Sequence, residues 1–228
     1  MATPVKIPRR FRFEHELFAQ GISPIAGVDE AGRGPLAGPV VAGAVILPEA
    51  WYWSGMPNKL KKVNDSKQLT PEEREELFAQ LTQNPLVLFS TGIVDVQVID
   101  QINILQATHR AMNLALSGLS VSPVHVLVDG LEVKSLSKPQ TALVQGDGRS
   151  YSIGAASIIA KVTRDRLMRQ FHDLYPHYGF HEHKGYGTPE HLLAIKTHGP
   201  CAIHRMTFAP MRPVQTEFGD MLHVIEQH

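Results

Sequence analysis

Cysteine is nearly absent from this chain, and so is any long apolar run. Because Cys201 is the only cysteine, no disulfide can form within the chain, a usage typical of a reducing compartment. No apolar run approaches the length that spans a membrane. Residues 1–20 are basic but contain no apolar segment typical of a secretory signal. We therefore expect a cytoplasmic protein with no membrane partner.

The chain also lacks net charge, because 22 basic residues balance 22 acidic ones. A neutral total at first argues against a nucleic-acid partner. If four acids are confined to a metal site, however, the rest of the chain has an excess of four basic residues, which is compatible with a basic groove. With 228 residues, 43% of them hydrophobic, the chain is long enough for one sizeable core.

The most informative segment is residues 25–39, where an apolar run leads into Asp29 and Glu30 and then into a glycine-rich loop. Two adjacent acids suit a buried strand only at its carboxyl end. The glycines beside them allow a backbone or a ligand to approach closely. Carboxylates that hold a divalent cation, next to amides that hold a substrate, are typical of metal-assisted phosphodiester hydrolysis.

Two other interpretations of this segment are open. Residues 32–37 fit the G-x-G-x-x-G/A pattern of dinucleotide-binding proteins, but that pattern must open a helix. Here Pro35 and Pro39 precede a second apolar run, residues 40–47, which predicts a strand and thus a hairpin-like pair rather than a β-α-β unit. The second alternative is a glycine-rich turn with solvated acids.

The rest of the chain alternates between strand and helix patterns. Further strands are predicted over residues 86–94, 124–129 and 141–145. Helices are predicted from the capping sequence Thr70-Pro71-Glu72-Glu73, over residues 103–119 with Leu105, Met112, Leu116 and Leu119 on one face, over residues 152–175, and around Val214, Phe218, Met221 and Ile225. This order predicts an α/β fold with a mixed sheet.

Two more acids follow strands in the manner of Asp29. Asp129 ends the fourth predicted strand, and Asp147 follows the fifth between two glycines. Because strand carboxyl ends lie near one another in α/β sheets, these acids and Glu30 are expected to converge. Each close carboxylate pair would repel by about 4 kcal/mol at an effective dielectric of about 20. A cation must offset that repulsion, and oxygen-only ligands favour Mg²⁺ or Mn²⁺.

Five separated motifs resemble, in the same order, those of the ribonuclease HII family. The motifs are Gly27-Val28-Asp29-Glu30-Ala31-Gly32-Arg33-Gly34, Asn64-Asp65-Ser66-Lys67-Gln68-Leu69, Val128-Asp129-Gly130, residues 155–165, and His183-Lys184-Gly185-Tyr186-Gly187-Thr188. With the tail segment His204-Arg205-Met206-Thr207-Phe208, the resemblance extends from about residue 25 to 213 and leaves residues 1–20 outside. Five motifs in order are specific, whereas any one alone would be weak.

The resemblance implies an RNase H-like fold, with a mixed five-stranded sheet flanked by helices. Residues 1–20 would form an N-terminal extension, residues 21–178 the catalytic domain, and residues 179–228 a helical segment packed on it. The implied activity is endonucleolytic cutting of RNA in RNA–DNA hybrids and at single ribonucleotides in duplex DNA, in primer removal and ribonucleotide excision. Mn²⁺ or Mg²⁺ would be the cofactor, these duplexes the partners, and we expect a monomer.

The resemblance also assigns residues to roles. The acids Asp29, Glu30, Asp129 and Asp147 match the family's metal-binding and catalytic residues. Gly32, Arg33 and Gly34 match the loop that reads the 2′-hydroxyl through its backbone, Tyr186 matches the aromatic residue that stacks on the neighbouring deoxyribose, and Ser66 and Lys67 resemble a phosphate-contacting loop.

Other polar residues have competing interpretations. Lys161 and Arg164 on the long predicted helix either contact the nucleic-acid backbone or are solvated helix charges. Asp165 is expected to pair with Arg164, Lys161 or another neighbouring side chain rather than to bind metal. The spacing of His181, His183, Cys201 and His204 matches no usual zinc site, and neither Ser66 nor Cys201 has an evident base partner for nucleophilic catalysis.

Two further functions stay open at this point. Another RNase H-like metal nuclease, such as a Holliday-junction resolvase or a transposase core, would share the acids but would have no use for reading a 2′-hydroxyl. An inactive hybrid-binding module would be favoured by the loss of one acid, and all four are present. The sequence does not decide whether the basic residues 9–12 bind nucleic acid or a partner protein.

Overall fold

A computed structural model describes residues 8–211, which form one five-stranded sheet with helices on both faces. The strands are β1 (Ile25–Ala31), β2 (Val40–Ile46), β3 (Leu88–Val94), β4 (His125–Asp129) and β5 (Gln140–Leu143). The helices are α1 (Arg12–Phe18), α2 (Ala50–Ser54), α3 (Pro71–Thr82), α4 (Val96–Ser117), α5 (Tyr151–Leu174), α6 (Phe180–His183) and α7 (Pro189–His198). Within residues 8–211, no helix is both long and apolar enough to cross a membrane.

The strand order β3-β2-β1-β4-β5 places β1 at the centre of the sheet. β1 pairs antiparallel with β2 and parallel with β4, with Val28 opposite Val128, and β4 pairs parallel with β5. The mixed sheet and the hairpin-like pair are thus confirmed. Since β2 directly follows the glycine-rich loop, no helix opens there, and the dinucleotide interpretation is wrong. The carboxyl ends of β1, β4 and β5 share one edge of the sheet.

Alternate residues of the central strands pack into two separate apolar clusters, one on each face. On one face Ile25 packs with Ile159 of α5, and on the other Val28 packs with Ala111 of α4. The α5 face is unusually close to the sheet. A Cβ on Gly27 would lie 2.2 Å from the Ser152 carbonyl carbon, so the helix backbone rests directly on the strand.

The same close approach recurs one strand away. A Cβ on Gly43 of β2 would lie 2.4 Å from the carbonyl oxygen of Ala156. No side chain fits at either glycine unless α5 moves. The helix that follows Asp147 is therefore seated at backbone contact distance over β1 and β2.

Two of the predicted helices have instructive outcomes. The capping box of α3 is confirmed, with Thr70 and Glu73 each accepting from the other's backbone amide. The helix predicted from residue 103 starts earlier, at Val96, and is interrupted at Asn103, whose φ of 66° is left-handed. Asn103 then caps the second half of α4 through its side chain, and Leu105 is exposed rather than buried. The helix predicted around Val214 lies outside the described residues.

Both ends of the described chain pack on the central unit. Phe11 is fully buried in the α5-side cluster, together with Tyr52. At the other end, Phe180 and Ile203 pack with Met168 of α5 in a third apolar cluster. The division into residues 1–20, 21–178 and 179–228 stays a prediction.

Candidate active site

The four predicted acids lie at the shared edge of the sheet. Asp29 and Glu30 lie near the carboxyl end of β1, Asp129 ends β4, and Asp147 lies in the 3₁₀ turn Gly146–Gly148 that follows β5. The turn is tied to β4 because the Gly146 amide donates to Asp129 Oδ1 at 2.6 Å. Strand order thus brings together acids that lie up to 118 residues apart in the chain, from Asp29 to Asp147.

The negative charges of these acids act on one another. Burial raises the pKa of Asp29 well above its usual value, and the charges of Glu30 and Asp129 raise it further. Burial, followed by the charges of Asp129 and Asp65, raises the pKa of Asp147 to about 6. Such mutual elevation is expected where carboxylates gather with too little positive charge between them.

The chemistry of this donor set fits a divalent cation. All the side-chain donors are carboxylate oxygens, the type that Mg²⁺ and Mn²⁺ prefer, and a cation would relieve the repulsion that raises the pKa of Asp29 and Asp147. The four acids lie along one edge of the sheet and do not surround a common point. No three His, Cys, Asp or Glu side chains in the described part of the chain are arranged to hold a metal ion.

Asp29 and Glu30 open onto a cleft of about 320 Å³ that also contains most of the predicted substrate-binding residues. Its lining includes Asp29, Glu30, Gly32, Arg33, Gly34, Ser66, Lys67, Ser157, Lys161 and Tyr186. A second cavity of about 670 Å³ shares Glu30 and Arg33 with this cleft and extends past Asp129 toward α4. The site is therefore a continuous depression rather than a closed pocket.

The glycine-rich loop, residues 32–39, is held from below by two buried arginines. Arg205 donates to the carbonyls of Gly32, Arg33 and Gly38. Arg164 donates to the carbonyls of Ala37, Pro39 and Lys184, each at 3.0 Å. Gly32 itself has a φ of +96°, and a Cβ there would collide with the Arg164 side chain. Gly34 and the Arg33 side chain, by contrast, are exposed.

This arrangement corrects both interpretations of Arg164. The side chain is only 1% exposed, and its three nitrogens donate to backbone carbonyls. It is therefore neither a solvated helix charge nor a phosphate contact. Lys161, one turn earlier, does line the cleft and pairs with Asp165 at 2.8 Å. The predicted pairing of Asp165 with a basic side chain on its own helix is confirmed.

Tyr186 faces the cleft beside Gly34. Its side chain is 45% exposed, and a Cβ on Gly34 would lie 3.7 Å from Tyr186 Cε1. The backbone of Tyr186 is fixed because its carbonyl oxygen lies 2.8 Å from Nδ1 of the buried His191. The expectation that the flanking glycines expose this ring rather than bury it in a core is confirmed.

Ser66 and Lys67 lie on the opposite wall and differ in exposure. Ser66 is buried, and its hydroxyl oxygen is 2.7 Å from that of Ser157 on α5. The Lys67 amine is exposed near the acids. Partial burial acts to lower its pKa, but the carboxylates of Asp29 and its neighbours outweigh this and raise it. Lys67 is thus a fully charged group at the rim of the acid cluster.

Sequence reasoning missed three residues that build the site. Asp65 lies close enough to Asp147 for its charge to help raise the pKa of that carboxyl group. Arg205 organises the glycine-rich loop, and Asp100 accepts from the backbone amides of Met206 and Thr207, tying α4 to the tail. Asp65 and Arg205 lie inside motifs already noted, so the signal was present, but it did not say which role each side chain has.

Comparison with known proteins identifies the family. The sequence model of ribonuclease HII matches residues 26–211. Ribonuclease HII of Chlamydia caviae is 52% identical over 202 residues, which cover 89% of this chain and 92% of that protein. Ribonuclease HII of Geobacillus thermodenitrificans is 54% identical over 201 residues, covering 88% and 74%. The chain belongs to the ribonuclease HII family.

Solved structures agree with this assignment. The ribonuclease H2 of Pyrococcus horikoshii superposes with a TM-score of 0.68 at 30% identity, covering 82% of this chain and 95% of that one. Bst-RNase HIII, solved in complex with Mn²⁺, has a TM-score of 0.59 at 16% identity and covers 82% and 67%, so it supports the fold alone. The predicted RNase H-like fold, with its mixed five-stranded sheet flanked by helices, is confirmed.

Family membership also gives the general activity. The chain is a ribonuclease that acts on RNA–DNA hybrids, and its family depends on divalent metal ions. A resolvase or transposase core is thereby excluded.

Proposed function

We propose that this chain is an endonuclease that hydrolyses the RNA strand of RNA–DNA hybrids and also cuts at single ribonucleotides in duplex DNA. In the cell it would support primer removal and ribonucleotide excision. One observation carries the proposal: Asp29 and Glu30 of the acid cluster, the Gly32-Arg33-Gly34 loop and the exposed Tyr186 ring line the same cleft. A nuclease indifferent to the sugar would not need a close backbone approach and an aromatic face beside its acids.

The acids supply the metal-binding part of the mechanism. Asp29, Glu30, Asp129 and Asp147 offer only carboxylate oxygens to two Mg²⁺ or Mn²⁺ ions. Those ions, when bound, would activate a water molecule and stabilise the leaving 3′-oxygen of an in-line displacement. Each acid must be deprotonated to ligate, and the raised pKa of Asp147, about 6, still leaves it mostly ionised at neutral pH.

The loop and the aromatic ring supply selectivity for the sugar. Arg205 and Arg164 fix the loop carbonyls from below, so that the Gly32-Arg33-Gly34 backbone, exposed at Arg33 and Gly34, is preorganised to meet a 2′-hydroxyl, the group that separates RNA from DNA. Tyr186 would stack on the deoxyribose that follows the ribonucleotide. Lys67 and Lys161 lie where they can meet the phosphates on either side.

A cleavage assay tests the proposal directly. The substrates are duplex DNA with one embedded ribonucleotide, a continuous RNA–DNA hybrid and an all-DNA duplex, each incubated with Mn²⁺, Mg²⁺ or a chelator. We expect cutting of the first two, with 3′-hydroxyl and 5′-phosphate ends, only when metal is present. Equal cutting of the all-DNA duplex, or cutting in chelator, would contradict the proposal. The Asp29→Asn protein controls for a contaminating nuclease.

A further inference from the structure

Arg10 joins two loops that carry candidate site residues. Its Nη2 donates to the carbonyl oxygen of Asp147 at 2.6 Å, and its Nη1 donates to the carbonyl oxygen of Val63, directly before the loop that carries Ser66 and Lys67. The guanidinium lies 4.4 Å from the ring centroid of Tyr151, the first residue of α5. One side chain from the N-terminal segment thus bridges two loops next to the cleft, although it lies outside the region matched by the family model.

The residues next to Arg10 fix it in place. Phe11 is fully buried, with its ring centroid 4.8 Å from that of Tyr151 and 5.5 Å from that of Tyr52. Glu14 is also fully buried, and its Oε1 accepts from the Ser150 hydroxyl at 2.6 Å and from the Ser152 amide at 3.1 Å. Residues 10–14 therefore hold the start of α5 as well as the turn just before it.

The backbone bond of Arg10 complements the bond that Asp129 makes to the same turn. Asp129 Oδ1 fixes the Gly146 amide on one side of Asp147. Arg10 fixes the carbonyl of Asp147 itself, and hence the orientation of the peptide group between Asp147 and Gly148. The neighbouring Arg12 differs, since its side chain is exposed and pairs with Glu16 on its own helix.

We propose that Arg10 is a positioning residue for metal binding, which it serves by setting where the Asp147 carboxylate lies relative to Asp29 and Asp129. This inference rests on the proposed function, because it assumes that Asp147 is a metal ligand. Loss of a group that orients a metal ligand typically lowers metal affinity or activity by about 10–100-fold. Arg10 thus acts on the site through side-chain hydrogen bonds to the backbone of two loops.

The test measures Mn²⁺ affinity separately from cleavage. Free Mn²⁺ is counted by electron paramagnetic resonance during titration of the full chain, for wild type, Arg10→Gln and Arg10→Lys. We expect Arg10→Gln to weaken Mn²⁺ binding about 10-fold. Arg10→Lys keeps the charge but has one nitrogen, which cannot repeat the fork to two carbonyls, so the loss should be nearly as large. The kcat for the embedded-ribonucleotide duplex should fall in parallel.

Two control variants separate positioning from general stability. Arg12→Gln removes a neighbouring charge and should leave Mn²⁺ affinity unchanged. Phe11→Leu weakens packing in the same segment and should lower Tm at least as much as Arg10→Gln without an equal loss of Mn²⁺ affinity. The inference is overturned if Arg10→Gln binds Mn²⁺ as wild type does, or if Phe11→Leu weakens binding equally. Wild type that binds Mn²⁺ but cuts no hybrid would refute the proposed function while leaving the Arg10 measurement decisive.

Discussion

Arg164 and Arg205 hold the same loop from two sides, and their guanidinium groups lie close to each other. Burial lowers the pKa of Arg205 to about 9, and the positive charge of Arg164 contributes to that shift. Within the described part of the chain, no carboxylate forms a salt bridge with either side chain. Loop carbonyls replace the acidic partner that a buried arginine ordinarily has. The glycine-rich loop is thus fixed by two buried cations whose guanidinium groups donate mainly to its own carbonyl oxygens.

Replacing Arg205 by lysine should destabilise the fold strongly. Lysine cannot reach three carbonyls at once, so buried acceptors would be left unpaired next to a buried charge, at a cost of about 3–5 kcal/mol. Urea unfolding at neutral pH measures the loss. Arg110→Lys, at an exposed position on α4, should change stability by about 0.5 kcal/mol or less. A loss no larger than that at Arg205 would show that the loop holds its shape without this side chain.

Removing one acid should separate chemistry from binding. Asp29→Asn and Asp129→Asn each remove a carboxylate of the metal cluster and leave the rest of the cleft unchanged, so cleavage should be abolished while hybrid binding is retained. In chelator the Tm should be equal or higher, because a like-charge repulsion is relieved. Glu72→Gln, an exposed acid on α3, serves as control. Wild-type turnover by either variant at saturating Mg²⁺ would remove these residues from the mechanism.

Lys67→Ala should weaken binding to hybrids of any sequence. If the amine contacts one phosphate, its loss should also reduce the slope of log affinity against log salt by about one counterion. Binding is measured in chelator across a range of salt concentrations. Lys62, which pairs with Glu73 on the surface, is the matched control, and its alanine variant should keep the wild-type slope. An unchanged slope for Lys67→Ala would make its charge a purely structural feature.

Tyr186→Ala should change selectivity more than activity. Loss of aromatic stacking costs about 1–3 kcal/mol, and this loss should fall mainly on the single-ribonucleotide duplex, since a sugar that carries a 2′-hydroxyl fits the flat ring less well. Cleavage rates of this duplex and of a continuous hybrid give the ratio for wild type and variant. Tyr186→Phe keeps the ring and should keep the wild-type ratio. Equal losses on both substrates, with a large fall in Tm, would mean that the ring is structural.

The buried pair His191 and His204 should make the fold sensitive to acid. Their Nε2 atoms lie 3.0 Å apart, and burial lowers the pKa of both rings, that of His191 to about 4 from an ordinary 6.5. Between those values the unfolded chain binds more protons than the folded chain, so stability falls as pH falls from about 6.5 toward about 4.

The variant His191→Gln isolates this effect, because other groups titrate in the same range. Its Tm should decrease less than that of wild type between about pH 7 and about pH 5. His198→Gln, at an exposed position of α7, should behave as wild type does. Parallel Tm curves for wild type and His191→Gln would show that the pair tolerates protonation.

The acids of the site could be predicted from the sequence because a rule of sheet geometry connects them. Asp29 and Asp129 each end an apolar strand, and parallel neighbours place such ends side by side, as the pairing of Val28 with Val128 confirms. The exposure of Tyr186 could be predicted from its flanking glycines for a similarly local reason. Features that depend on a single strand or a single turn can therefore be recognised from the sequence.

What could not be predicted depends on partners distant in sequence. Arg164 has the spacing of a surface helix charge, and only the carbonyls of residues 37 and 39, brought over it by the fold, make it a buried donor. The break at Asn103 is equally hidden, since apolar periodicity continues on both sides of it. Arg10 lies outside every motif, and its acceptors are contributed by two other loops.

The contact of α5 with Gly27 and Gly43 makes the width of the cleft a property of the sheet interior. Ser157 and Lys161 project from this helix toward the cleft, whereas Asp29 and Glu30 project from the strand beneath it. At Gly27 and Gly43 the backbones of helix and strand approach each other with no side chain between them. A single methyl group at either glycine would push α5 away from the sheet and so move one wall of the cleft relative to the other. The width of the cleft thus depends on Gly27 and Gly43, which lie inside the fold under α5.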